Sequence, residues 1–335
     1  MYNNSIRKLK NFVGNVLPYG VSKRYFYPPV SIPSSVYPKL YNQFGEEMLY
    51  VYMKDNISAH LPYSLVSGRI PRRVVWDRYN TGLDLQMYGH ISILDRLPLR
   101  ENTKQFGIAV ESEIIRPYEY EQLLKNESSV NSLVALFTYS ERLLDKYSNA
   151  KFAICQGVWY GTELYGGTMS PDNWEHKTKL LSIVASAKHK VPLHCFRAEV
   201  ARGLKRSGLA DAMGTSVGEY FDKISDAFDD YMYNVSIEND QKKYYFTEKI
   251  LDCFASMTVP VYYGATEIGK FFNEDGIIKI KDPTMECVLK AIKQCSKQDY
   301  HDRLDAIKDN YNRVQQYLSS DDYIFNNYFE LFNTK

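Results

Sequence analysis

Apolar residues recur along this chain in short runs of strand length, separated by polar or amphipathic stretches of helix length. EMLYVYM at residues 47–53, RVVW at 73–76, FGIAV at 106–110 and LVALF at 133–137 are the runs of the first half. Helical spacing lies between some of them, at residues 118–125 and 140–146. Strands alternating with helices predict an α/β domain with a largely parallel sheet. Residues 157–173 (GVWYGTELYGGTMSPDN) are rich in Gly, Ser, Pro and Asn and read as a loop or interdomain linker. The pattern then resumes with KLLSIVAS at 179–186 and a helix over 192–206, which has Pro192 at its start and Gly208 past its end. YMYNVSI (231–237), a helix over 245–256, VPVYY (259–263) closed by Gly264, and GIIKI (276–280) follow. Residues 284–318 predict two helices, and DDYIFNNYFELF beyond them fits a segment that packs back on the body. The first forty residues carry Pro18, Pro28, Pro29, Pro33 and Pro38, which forbid a long helix there. The expectation is two α/β domains, residues 1–165 and 166–335, with a ligand cleft between them at the carboxyl ends of the strands.

Composition narrows this picture in three ways. Hydrophobic residues make up 44% of the 335, enough to fill two cores. Lysine and arginine number 41 against 40 acidic residues, a net charge of +1 that argues against a general nucleic-acid binder but not against a local phosphate pocket. The five cysteines (Cys155, Cys195, Cys253, Cys287, Cys295) are odd in number with no C-x-x-C spacing, which fits a reducing compartment better than a disulfide framework or a zinc site. No run of about 20 apolar residues occurs, and the first twenty residues do not form a clean signal peptide. The expectation is a soluble, cytoplasmic protein, peripheral at most on the inner face of a membrane. The 29 tyrosines suit stacking on sugars and suit filling cores equally well.

The chemistry concentrates in Ser236-Ile-Glu-Asn-Asp240, Tyr245-Phe-Thr-Glu-Lys-Ile-Leu-Asp252 and Val259-Pro-Val-Tyr-Tyr-Gly264. An apolar strand runs into Glu238 and Asn239, so both fall at its carboxyl end. Thr247 can cap the next helix, placing Glu248 and Lys249 in its first turn. A helix N-terminus favours phosphate; Lys249 adds a full positive charge, and Glu248 can accept from ribose hydroxyls. On the residues alone, T-E-K at a helix start serves equally as an ordinary cap with an exposed ion pair.

This composite stretch closely resembles the donor-binding motif of glycosyltransferase family 10, the α-1,3/1,4-fucosyltransferases. The family pattern is roughly F-x-x-x-F-E-N-S, then Y-V-T-E-K-I-x-D, then V-P-V-x-x-G. Phe246 replaces Val, and Asp240 stands where the family has Ser. Residues 182–197 (SIVASAKHKVPLHCFR) resemble the family's S-x-x-x-S-N segment and the arginine after it. The likeness is good over about residues 175–282 and weaker before. It implies a GT-B architecture, two Rossmann-like domains facing a central cleft, the first holding a glycan acceptor and the second GDP-fucose. It also implies inversion in a single displacement. Arg197 and Lys249 are then the diphosphate ligands, with Glu238, Asn239, Tyr245, Thr247 and Glu248 completing the donor site; Tyr245 is otherwise a core residue. The base would come from Phe106-Gly-Ile-Ala-Val-Glu-Ser-Glu113, where Glu111-Ser112 resembles the family's E-S-P element without its proline. Glu111 is favoured and Glu113 is the alternative.

Trp76, Asp77, Arg78 and Tyr79 could shape the acceptor site or form a structural turn. His176, His189 and His194 lack metal-site spacing, and His189 and His194 could face the diphosphate instead. No D-x-D, P-loop, G-x-G-x-x-G or G-x-S-x-G occurs, so no essential metal or cofactor beyond the donor substrate is expected. The function expected from the resemblance is transfer of fucose to a surface polysaccharide or lipopolysaccharide, α-1,3 linkage favoured. The alternatives are another GDP-sugar, or a catalytically silent glycan-binding protein.

Overall fold

Short apolar runs alternating with helices build two separate sheets in a computed structural model that describes residues 31–37, 39–55 and 69–333. The first contains β1 (Leu40–Tyr41), β2 (Glu47–Lys54), β3 (Val74–Asp77), β4 (Leu85–Gly89), β5 (Lys104–Ala109), β6 (Ala135–Thr138) and β7 (Ala150–Phe152). Its order is β1-β2-β4-β5-β6-β7, with β3 also paired to β2, and only β1 is antiparallel. The second contains β8 (Lys179–Val184), β9 (Asp211–Met213), β10 (Tyr231–Ile237), β11 (Val259–Tyr263) and β12 (Ile278–Lys279). Its order is β12-β11-β10-β8-β9, all parallel. Every residue of β10 and β11 is buried, as expected for central strands covered on both faces. The polar residues within β10 are satisfied locally: Asn234 donates to Ser182 (2.8 Å) and Ser236 donates to Asn234 (3.0 Å).

Several elements depart from the sequence pattern for identifiable reasons. Strand β4 went unpredicted because Gln86 interrupts its apolar run. Gln86 is fully buried but hydrogen-bonded to Leu83 O, Tyr88 Oη and Gln105. The helix expected from residue 245 starts at Glu248, because Thr247 caps it in extended conformation. Residues 284–318 hold three α-helices (Met285–Ile292, Lys297–Asp302 and Leu304–Val314) rather than two, since Ser296 starts a new one by accepting from Asp299 N. The expectations for residues 1–30 and for Pro38 lie outside the described residues. Among the described residues no helix is long and apolar enough to cross a membrane.

The two last helices, Ser320–Asn327 and Phe329–Phe332, return to the first sheet. Phe332 stacks on Phe106 with ring centroids 4.4 Å apart and lies 4.2 Å from Phe325. Ile324, Phe325 and Phe332 share one core with Val51, Trp76, Phe106 and Phe137. Residues 320–332, grouped by sequence with the second domain, thus complete the core of the first sheet. Phe332→Ala should lower stability by about 3–5 kcal/mol, the usual loss for a buried aromatic ring. The measurement is the melting temperature of the transition assigned to the first sheet. An unchanged value would mean that this helix contributes nothing to that core.

Candidate active site

The site begins where β10 ends. Glu238, the first residue beyond the strand, is fully buried. Its carboxylate accepts from Thr247 N (2.9 Å) and Thr247 Oγ1 (2.7 Å), and Lys249 Nζ lies 3.4 Å away. Thr247 in turn caps the Glu248–Ala255 helix. Lys249 Nζ donates to Thr247 Oγ1 (3.0 Å) and to Glu248 Oε1 (2.8 Å). Burial opposes both charges of that ion pair, yet Lys249 holds the Glu248 carboxyl below its ordinary value, and Glu248 and Glu238 hold the Lys249 ammonium above its own. Burial pushes the Glu238 carboxyl up, against Lys249. On the neighbouring helix Pro192–Ser207, Arg197 is 6% exposed and donates to Ile237 O (2.6 Å) and Asn239 Oδ1 (3.3 Å).

Arg197, Asn239, Glu248 and Lys249 line one cavity of about 230 Å³. Its polar wall also includes Ser186, Lys188 and His194, and its apolar wall Trp159, Val184, Ile224 and Phe228. Glu238 and Thr247 stand behind this lining and hold Lys249 in place. Tyr245 does not reach the cavity. It is 1% exposed, packs in the first sheet's core, and sits 4.8 Å from the Tyr139 ring. The turn before Thr247 places the ring between the domains, the core position that was its alternative reading.

The carboxyl end of β5 faces this edge. Ser112 Oγ lies within 3.5 Å of Asp240 Oδ2, joining the two sheets' loops directly. Glu111 is half-buried and receives Ser112 N on Oε1 (2.8 Å). Its main chain is held from below: Glu111 N donates to His90 Nε2 (3.2 Å), and Tyr120 Oη donates to Glu111 O (2.7 Å). His90 Nδ1 is 3.2 Å from Glu119 Oε2. Glu113 is committed elsewhere. It is 6% exposed, accepts from Ser140 Oγ, and pairs with Arg142 (3.4 Å) and more distantly Lys242 (3.9 Å). Cys155 is buried between the two edges: burial, then Glu111 and Glu248, push its thiol up, with Lys249 opposing. Glu111 and Glu248 thus both act on the Cys155 thiol, and Glu113 is held by Ser140 and Arg142 of the first domain and by Lys242 of the second.

Trp76, Asp77, Arg78 and Tyr79 lie elsewhere and do not line the cavity. Trp76 is 3% exposed and donates to Asp321 Oδ1 (2.6 Å) beneath the last helices. Asp77 accepts from Tyr79 N and Asn80 N (both 2.8 Å) and from Tyr37 Oη, which makes this segment a structural turn. Trp159, Lys188 and Asp252 line the cavity without having been singled out by sequence. Asp252 had a readable signal, four residues after Glu248 on one helix face; Trp159, in an irregular loop, had none. Among the described residues no group of three or more His, Cys, Asp or Glu side chains is arranged to hold a metal ion.

Two α/β sheets, the second carrying at its carboxyl edge a cavity lined by arginine and lysine, form an architecture that resembles the GT-B fold. Residues 174–330, a little under half of the chain, match the family described as glycosyltransferase family 10 (fucosyltransferase), C-terminal part. The α-(1,3)-fucosyltransferase FucT of Helicobacter pylori is 38% identical over 52 residues, a stretch amounting to 16% of this chain and only 11% of that protein. A crystal structure of an α1,3-fucosyltransferase with GDP matches with a TM-score of 0.51 at 16% identity, over 92% of this chain and 95% of that one. A second α1,3-fucosyltransferase crystal structure matches at 0.50 and 18% identity, over 92% and 94%. An α-glucosyltransferase solved with UDP and DNA also matches at 0.50, at 10% identity over 86% and 91%. These structural likenesses show the fold alone.

Asp252 yields a pH test of the cavity floor. Its Oδ1 accepts from Trp159 N (2.7 Å) and Tyr160 N (2.9 Å), yet burial pushes its carboxyl up to about 8. In the unfolded chain an aspartate ionises near ~3.9. Between those values the folded protein holds a proton that the unfolded chain has lost, so stability falls as pH rises through this window. Asp252→Asn removes that dependence while keeping the oxygen acceptor. The melting temperature of the variant relative to wild type should rise between about pH 5 and pH 8; a constant difference would mean that Asp252 is ionised in the folded protein.

Proposed function

We propose that this protein is an inverting fucosyltransferase that moves fucose from GDP-fucose to a hydroxyl of a surface glycan, forming an α-1,3 linkage. The observation that carries the reading is the convergence of Arg197 and Lys249 on one cavity, with Glu248 beside them and Glu111 on the facing edge. The guanidinium of Arg197 and the ammonium of Lys249 would bind the diphosphate and take up the charge that grows on GDP as the C–O bond to the sugar breaks. Glu248 would accept from the ribose hydroxyls. Glu111 would take the proton of the acceptor hydroxyl as its oxygen attacks the anomeric carbon from the face opposite GDP. One displacement inverts that centre. Two cations at the diphosphate leave no step that requires a metal.

Calorimetric titration with GDP, with UDP and ADP as controls, with and without Mn²⁺, tests the donor site. Metal-independent GDP binding should weaken roughly 10–100-fold in Lys249→Ala and in Arg197→Ala, the loss expected for a charge-assisted contact. Binding of UDP alone, or of no nucleotide, would sink the reading. Glu111→Gln should leave GDP binding unchanged and reduce transfer from GDP-fucose to a glycan panel by about 10²–10⁴-fold, the scale of a lost general base. If Glu113→Gln gives the larger loss, the base is Glu113.

A further inference from the structure

One titratable side chain on the cavity wall has no role in the transfer reaction as proposed. His194 lies in the first turn of the Pro192–Ser207 helix, is 3% exposed and lines the cavity. Its Nδ1 has no hydrogen-bond partner, a costly state for a buried polar atom. The helix begins at Val191 without a side-chain cap, so the positive end of its dipole lies at the same wall. The groups that face the imidazole come from three elements. Lys188 precedes the helix, and Arg197 is one turn further along it. Asn239 follows β10, and Lys249 stands with its partners Glu248 and Glu238. Burial, then Arg197, with Lys188 and Lys249 adding to it, pushes the imidazole down to about 4, while a hydrogen bond with Asn239 works the other way. With the cavity empty, the ring is neutral across the physiological range.

We infer that His194 is a proton-accepting member of the diphosphate site: it takes up a proton as the diphosphate of a GDP-sugar enters, and then donates to a phosphate oxygen beside Arg197 and Lys249. This rests on the proposed donor site and adds to it a coupling between donor binding and pH. A diphosphate diester carries two negative charges into a wall of cations. Opposite charge at ~4–6 Å raises an imidazole by roughly 1–3 pH units per charge, so the bound-state value moves to about 6 or above. Affinity therefore rises as pH falls through that bound-state value, and levels off near about 4, where the free imidazole is itself protonated. The acquired proton stands beside the phosphate on which charge grows when the sugar departs.

Calorimetric titration with GDP-fucose at pH 6, in two buffers of different ionisation enthalpy, reads the protons taken up. The diester has no phosphate proton to exchange near neutrality, and Asp252, at about 8, is already protonated there. Wild type should take up about half a proton or more per donor bound, and bind several-fold more tightly at pH 6 than at pH 8. His194→Gln should take up none and lose that pH dependence. His194→Arg, with a fixed charge, should bind at pH 8 at least as tightly as wild type, again without uptake. Binding by wild type without uptake, or uptake that persists in either variant, overturns the inference alone. Failure of wild type to bind GDP-fucose in any buffer overturns the donor-site reading, and this inference with it.

Discussion

A single buried carboxylate organises the carboxyl edge of the second sheet. An isolated ionised glutamate at full burial costs several kcal/mol, and Glu238 offsets that cost only because Thr247 offers both its N–H and its hydroxyl while Lys249 supplies charge. The same contacts set the first residue of the Glu248–Ala255 helix and aim its lysine. Gly264 belongs to this arrangement: a Cβ there would run into the Glu238 side chain and the Tyr262 hydroxyl. Three stretches of sequence, ending β10, opening the helix and ending β11, are thereby coupled around one side chain. The cations facing the cavity are fixed before any ligand arrives, the condition for electrostatic stabilisation without reorganisation.

The first sheet meets this edge with a comparably supported loop. His90 adopts a left-handed backbone (φ 51°), uncommon for a residue with a side chain, and its ring lies under the main chain of Glu111. Tyr120 and Tyr139 donate to the Glu111 carbonyl, holding the next peptide. Contact between the domains is correspondingly specific. Asp240, where the resembling family carries serine, meets Ser112; burial pushes its carboxyl up, against Lys242. Tyr245 wedges against Tyr139. Residues that read by sequence as ligand contacts thus divide into two groups, those facing the cavity and those holding the two edges in register.

That division explains what the sequence could and could not reveal. Strands buried on both faces are continuous apolar runs, so β10 and β11 were legible to the residue. The cap at Thr247 and the lysine two residues on were legible because a helix start is a local pattern with a physical meaning, whereas Arg197 was singled out through the family resemblance. Strand β4 was hidden, since its buried glutamine is satisfied by residues that only the fold brings near. Trp76 read equally as acceptor surface or structural turn, because its partner, Asp321, lies 245 residues away. Tyr245 carried two readings in sequence, and its packing against Tyr139 is a long-range contact that the sequence does not encode. Trp159 reaches the cavity from a loop whose course no periodicity encodes.

The return of residues 320–332 to the first sheet has a consequence for how the molecule is made. Phe106, Trp76 and Phe137 are synthesised early, but the rings that cover them arrive only after the whole second sheet has been translated. Domains ordinarily fold as they emerge, the N-terminal one first. Here the first sheet stays partly uncovered until the chain is nearly finished, and the core beside the second sheet likewise waits for Tyr317 and Tyr323. Until those last rings dock, a newly made chain exposes aromatic surface to whatever chaperone or neighbour is at hand.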